Sequence, residues 1–164
     1  MRLVHGVIRW LNIGAVTAAC IVMLLMMAHI TLDVGVRYFA NGQIVGTLEW
    51  VSFYYMVALV FLALGYVEMR NENIRVDLFV QMMPRSVQLA LYLLSGVLCL
   101  VFFAIMLRQS FLDAWNATLR KETIMSNFIF YIWPSRWALP IGFFGLLIAV
   151  LANMLKAIRS GKAL

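Results

Sequence analysis

Four stretches of this chain contain no Asp, Glu, Lys or Arg and are long enough to cross a bilayer: 10–32, 50–67, 86–107 and 137–155. At 1.5 Å per residue a helix of each stretch is about 27–35 Å long, the thickness of a hydrocarbon core of about 30 Å. Backbone in lipid must satisfy its own hydrogen bonds, so each stretch is expected to be a helix. The short alternating strands of a membrane β-barrel are absent from the sequence. Composition agrees. The 164 residues are 65% hydrophobic and 12% charged, with a mean hydropathy of +0.94. Soluble domains average about 25% charged residues, and a globule of this size lacks the interior to hide so much apolar surface. Disorder is excluded on the same ground.

The first stretch has a competing reading. Thr17-Ala18-Ala19-Cys20 loosely resembles a lipoprotein cleavage site behind the basic residues Arg2 and Arg9. The chain stays apolar well beyond the cysteine, so an uncleaved helix is expected. Cys20 and Cys99 both sit inside apolar runs and form neither a disulfide framework nor a CxxC site. They read as small packing residues.

The formal charge of +6 comes from single residues scattered between apolar runs, which does not make a nucleic-acid surface. With both termini on one side of the membrane, eight basic residues share that side: Arg2, Arg9, Arg70, Arg75, Arg85, Lys156, Arg159 and Lys162. Five lie opposite: Arg37, Arg108, Arg120, Lys121 and Arg136. The positive-inside rule then places both termini in the cytoplasm. Trp10, Tyr38, Trp50, Tyr66, Trp133 and Trp137 sit near span ends, where amphipathic rings settle at the membrane boundary.

The connectors are amphipathic. The first, 33–49, holds the turn signal Asn41-Gly42, with Thr47 as a helix cap and Glu49 at the positive end of the second helix. In the second, 68–85, Ile74, Leu78 and Met82 share one face, predicting a surface helix over about 72–83 that Pro84 stops. In the third, 108–136, Phe111, Trp115 and Leu119 share a face opposite Asp113 and Arg120, which again predicts an interfacial helix. The apolar run 123–135 is too short to span, so 109–135 as a whole is expected at the interface or against a partner. Asn116-Ala117-Thr118 matches a glycosylation acceptor, a motif short enough to arise by chance. No internal repeat or low-complexity tract interrupts the chain. The expected architecture is a single all-α integral membrane domain over 1–164, with four transmembrane helices and short interfacial helices between them.

Sites of chemistry are sparse. His29, Asp33 and Arg37, spaced by four, line one helix face at the end of the first span. A proton relay would continue through the midplane, but no Asp, Glu, Lys or Arg lies inside any span, so a structural rail is the stronger reading. Glu49 is placed to pair with Arg37 across the first connector. Bis-histidine haem needs two facing histidines, and the chain has only His5 and His29. A self-sufficient transporter would show inverted repeats and helices broken at the midplane, whereas the first three spans hold no proline and Pro140 sits in the first turn of the fourth. The small-residue pairs Gly14/Ala18 and Gly145/Ala149 predict close helix packing. Phosphate loops, nucleophile triads and metal clusters are missing. By elimination the chain reads as an accessory subunit offering a bundle to a larger partner.

The ordered motifs resemble the small permease subunit of tripartite ATP-independent periplasmic (TRAP) transporters, the DctQ-like family. Asp33-Val34-Gly35-Val36-Arg37-Tyr38-Phe39 is similar to that family's arginine-aromatic signature after the first helix. Leu48-Glu49, followed by Trp50, resembles its glutamate opening the second. Asn73-Ile74-Arg75-Val76-Asp77 resembles His-Ile-x-Val-Asp, with Asn73 in place of the usual His, and Met83-Pro84 follows. Trp133-Pro134-Ser135-Arg136-Trp137-Ala138-Leu139-Pro140-Ile141-Gly142 resembles the family's opening of the last helix.

The resemblance implies a bacterial inner-membrane protein in a stable heterodimer with a large permease subunit that moves substrate by an elevator motion. It also implies a periplasmic substrate-binding protein that delivers the solute transiently, and sodium-coupled uptake of an organic acid. Sodium and substrate sites belong to the large subunit in that family, so no cofactor, metal or catalytic residue is expected on this chain. Asp33, Arg37, Glu49, Trp50, Arg75, Asp77, Pro134, Trp137 and Pro140 are then structural or partner-facing residues. Replacing Asp33 with Asn is expected to matter less than replacing Arg37 or Glu49. The alternative reading is a membrane anchor for a haem- or quinone-linked redox enzyme.

Overall fold

A computed structural model describes residues 2–70, 73, 83–125 and 129–160. Four long helices match the four apolar runs: α1 (Arg2–Ala40), α2 (Thr47–Met69), α3 (Arg85–Arg120) and α4 (Ala138–Ser160). Each is long and apolar enough to cross a membrane. A short antiparallel hairpin, β1 (Thr123–Met125) and β2 (Ile129–Tyr131), and one 3-10 turn (Ser135–Trp137) join α3 to α4.

The direction of each helix follows from its neighbours. His29 of α1 meets Tyr55 near the start of α2, so these two run antiparallel. Phe103 stacks with Phe143, and Thr118 near the end of α3 meets Trp137 just before α4, so that pair is antiparallel too. Helices α2 and α4 run parallel, with Phe61 beside Gly142 and Glu68 beside Asn153. The chain termini therefore share one end of the bundle, the terminal end. The connector after α1 and the hairpin share the other, the far end.

The α2–α4 seam is the tightest contact in the bundle. A Cβ built on Gly142 would lie 2.2 Å from the Phe61 carbonyl oxygen, and one on Gly65 would lie 2.8 Å from the Gly145 carbonyl carbon. Two helices whose apolar side chains are equally at home in lipid gain by bringing backbones together, which only small residues permit. Ala149, fully buried on α4, belongs to the same economy of size. The expected Gly145/Ala149 pair thus packs closely. The Gly14/Ala18 pair does not: Gly14 faces open space, and α1 buries Asn12 and Ala19 instead.

Two helices outrun the bilayer. Helix α1 has 39 residues and α3 has 36. The interfacial helix expected after Leu107 is instead a continuation of α3, which projects about 20 Å past its apolar run. Nothing between Gly96 and Pro134 is a glycine or proline, so no residue type forces a break at Arg108. Helix α3 ends where Lys121 turns left-handed, at φ 47°; the Glu122 N–H then bonds the Ala117 carbonyl and the Lys121 N–H that of Thr118. Helix α1 ends in the same way at Asn41, φ 48°, within the expected turn. Ile74, Arg75, Asp77, Leu78 and Met82, which carry the surface helix expected in the second connector, lie outside the described residues.

Candidate functional site

Polar and aromatic groups gather at the two ends of the bundle. At the far end Asp33 is the hub. It is 5% exposed, and its two carboxylate oxygens accept from different partners. Arg37 Nε donates to Oδ2 at 2.8 Å, and the Ile44 backbone N–H donates to Oδ1 at 2.9 Å. The same side chain thus satisfies its own helix and pins the connector that leads to α2. The Arg37 guanidinium is largely exposed, and its ion pair is with Asp33, one turn back, on the expected stripe. His29 continues that stripe, its Nδ1 3.3 Å from the Tyr55 hydroxyl. Gly46 rather than Thr47 caps α2, because its φ of 93° is left-handed and suits glycine. Thr47 is the first helical residue, and its hydroxyl donates back to the Ile44 carbonyl at 3.1 Å.

Glu49 sits half-buried in the first turn of α2. From Trp50 to Tyr55 the helix is π-wound. A π segment adds an extra residue to a helical turn, so the faces before and after it are rotated relative to each other. Here Tyr55 faces α1, while Trp50 and Tyr54 face the hairpin. Phe130 of β2 is buried edge-on against Trp50 and Tyr54, and the Tyr54 hydroxyl donates to the Tyr131 carbonyl at 2.7 Å. The hairpin is tied to its own flanks as well. The Ile132 N–H bonds the Glu122 carbonyl at 3.0 Å, and Arg136 Nη2 donates to Glu122 Oε1 at 2.7 Å. Pro134 opens the 3-10 turn, and Trp137 closes it with its indole N–H on Thr118 Oγ1 at 3.0 Å. Thr118, part of the glycosylation match, is thus engaged in packing. Pro140 is buried in the first turn of α4, where a missing N–H costs no helical bond.

The terminal end holds a site that charge-counting along the spans overlooked. Glu68 and Asn153 are both buried. Asn153 Nδ2 lies 2.6 Å from the Glu68 carbonyl and 3.1 Å from its Oε1, and Asn73 Nδ2 donates to Oε2. Asn12, also buried, lays its carboxamide against the bare Cα of Gly65. The available signal was the two asparagines inside apolar runs, since a membrane-buried amide needs a partner on another helix.

Of the residues singled out from sequence, the far end brings together Asp33 with Arg37, and Trp50 with the hairpin. Pro134, Trp137 and Pro140 form the turn into α4. Arg75 and Asp77 lie outside the described residues. The two histidines belong to one helix, about 36 Å apart along its axis at 1.5 Å per residue, so they cannot face each other across one haem. Among the described residues no three His, Cys, Asp or Glu side chains converge to hold a metal ion.

A multi-pass bundle with this order of motifs matches a family model described as tripartite ATP-independent periplasmic transporters, DctQ component, over residues 26–160. The chain belongs to the DctQ family. It is therefore the small membrane subunit of a TRAP transporter, a component that works with a large permease and a periplasmic binding protein. The match covers the far-end stripe, the π-wound segment, the hairpin and the α2–α4 seam, and leaves out the first two-thirds of α1. No curated protein matches the chain.

Proposed function

We propose that this DctQ-family subunit is the static, non-catalytic scaffold of its transporter, anchoring the large permease while that subunit carries an organic acid on a sodium gradient. The observation that carries this reading is the α2–α4 seam. Where a conduit would need space and polar groups, Gly65, Gly142 and Gly145 bring two backbones into contact. A part built this way resists shear. Long apolar flanks support the anchoring role: Leu24, Leu94, Leu98 and Ile105 are all well exposed on α1 and α3, ready for lipid or for the permease.

In this reading the chain sits in a bacterial inner membrane with both termini in the cytoplasm, as the distribution of basic residues favours. The far end then faces the periplasm. Met125, 90% exposed on the hairpin, stands where a solute-loaded binding protein would approach. Sodium and substrate are held by the large subunit, and this chain needs no cofactor of its own.

Reconstitution tests the proposal. Proteoliposomes holding this chain with the large permease and the binding protein should take up solute in a sodium-dependent way, and the chain alone should move none. Uptake by the chain alone would overturn the scaffold reading. Copurification should return a stable heterodimer, weakened by Arg37→Ala or Glu49→Ala. A Soret band in the purified protein would instead favour the redox-anchor alternative.

A further inference from the structure

Apart from Trp137, the side chains that line an open trough between α3 and α4 take no part in the ties that hold the bundle. Its volume is about 570 Å³, and its lining includes Leu107, Arg108, Phe111, Trp137, Ile141 and Phe144. That volume lies in the range of about 300–1,000 Å³ typical of ligand pockets. Apart from Arg108 the lining is apolar, and the single polar atom of the Trp137 ring is already bound to Thr118.

The trough has a direction. Arg108 is the first charge after the apolar run 86–107, so it marks the level where hydrocarbon ends. Ala104, one turn earlier on α3, and Phe144, toward the middle of α4, carry the lining down into the hydrocarbon zone. Phe111, Leu112 and Trp137 lie beyond Arg108 on the other side, so the cation stands partway along the trough, at the hydrocarbon boundary, with a greasy stretch below it that fits a phospholipid chain and a charge that fits its phosphate.

Charge decides among occupants. Arg108 is exposed and forms no ion pair with a described residue; the ion pairs are Arg37 with Asp33 and Arg136 with Glu122. The nearby Asp113 carboxylate takes a hydrogen bond from Gln109 and lies five residues on, around the helix from Arg108. A partner helix laid here would bury a guanidinium unless it supplied its own acid. A phosphodiester supplies that anion and suits the forked donors of arginine. Among the described residues no carboxylate lines the trough to receive a headgroup ammonium, so a net anionic headgroup fits better than a zwitterionic one.

We propose that this trough binds an anionic phospholipid, its phosphate on Arg108 and one acyl chain along Ala104, Leu107, Ile141 and Phe144. The inference stands independently of the scaffold role.

Native mass spectrometry of the full chain, purified with its membrane partner and exchanged with defined lipids, tests it. The wild type should retain phosphatidylglycerol in preference to phosphatidylcholine. Arg108→Gln should weaken phosphatidylglycerol retention about tenfold, the loss of one charge-assisted contact. Arg120→Gln, at the end of the same helix and outside the trough, should leave it unchanged. Ala104→Trp should displace the lipid with the charge intact, and because Ala104 and Arg108 are both exposed, both variants should fold. A photo-crosslinker at Phe144 should capture lipid. Equal losses from Arg108→Gln and Arg120→Gln, no preference between the two lipids, or a crosslink from position 144 to the permease would each overturn the proposal.

Discussion

At the far end, four separate ties hold the bundle: the Asp33 clasp on Ile44, the aromatic cluster around Phe130, the Trp137–Thr118 bond and the Arg136–Glu122 pair. At the terminal end, α2 and α4 meet at one acid, Glu68, held by the amides of Asn153 and Asn73. The difference is one of redundancy. Far-end contacts are numerous, and several are exposed, where water replaces a lost bond at little cost. The terminal contact is buried, and a buried acceptor stripped of its donor has nothing to replace it.

Asn153→Leu should cost the bundle most. It removes both amide contacts to Glu68 and leaves a buried carboxylate short of a donor. The expected cost is about 2–3 kcal/mol, a fall of roughly 5–10 °C in the unfolding midpoint. Tryptophan fluorescence of the purified subunit during heating would measure it. If the midpoint moves no more than it does for a far-end surface variant, the terminal end does not hang on this acid.

Asp33→Ala should rank second. It frees the Ile44 N–H and the Arg37 guanidinium together, loosening the connector between α1 and α2. Asp33→Asn keeps one acceptor and should fall between alanine and wild type. Arg37→Ala should cost less than Asp33→Ala, because the arginine side chain is 51% exposed while that of Asp33 is 7% exposed. The acid of this pair is the buried partner and the arginine the exposed one, a difference that the spacing of the stripe does not show. Hydrogen exchange at the Ile44 amide would report the difference directly, with faster exchange in the order Ala, Asn, wild type.

That difference shows where the sequence could be read and where it could not. The four spans were legible because bilayer thickness sets a length and charge is excluded from it, so runs of apolar residues carry the answer locally. The His29–Asp33–Arg37 stripe was legible because helical spacing is local too. Burial of Asp33 depends on the Ile44 amide folding back over it, a contact across 11 positions that no local pattern encodes. The end of α3 was misplaced because Arg108 marks where lipid stops, which is not where a helix must stop. The π-wound segment left no trace in Trp50–Tyr55, whose residues would serve equally in an α-helix. The hairpin was hidden for a related reason: 123–135 is apolar enough to suggest a surface, yet its pairing partner is itself. Asn12 and Asn153 lie inside apolar runs, where an uncharged amide leaves no mark in a count of Asp, Glu, Lys and Arg.

Trp137→Phe is a smaller test at the far end. It keeps an aromatic ring against Phe111 but removes the indole N–H to Thr118 together with part of the ring volume. The hydrogen bond should account for about 1 kcal/mol of the loss, the usual net worth of one neutral bond. Thr118→Val removes the same bond along with the hydroxyl's own to the Ala114 carbonyl, so the double variant should lose about 1 kcal/mol less than the sum of the two. Additive losses would mean that the two residues act through different neighbours.

The smallest effect should come from Arg136→Gln. Its partner Glu122 is 36% exposed and Arg136 itself 41%, so the 2.7 Å pair is open to water and screened by salt. Such pairs contribute about 0.2–1 kcal/mol. The hairpin should survive, because the Ile132–Glu122 backbone bond and the burial of Phe130 do not depend on this charge. Raising the salt concentration should therefore shrink the gap between wild type and Arg136→Gln while leaving the Asn153→Leu deficit in place. A salt-independent loss at Arg136 as large as that at Asn153 would show that the far end is no more redundant than the terminal one, with its apparent surplus of ties resting on a single charge pair.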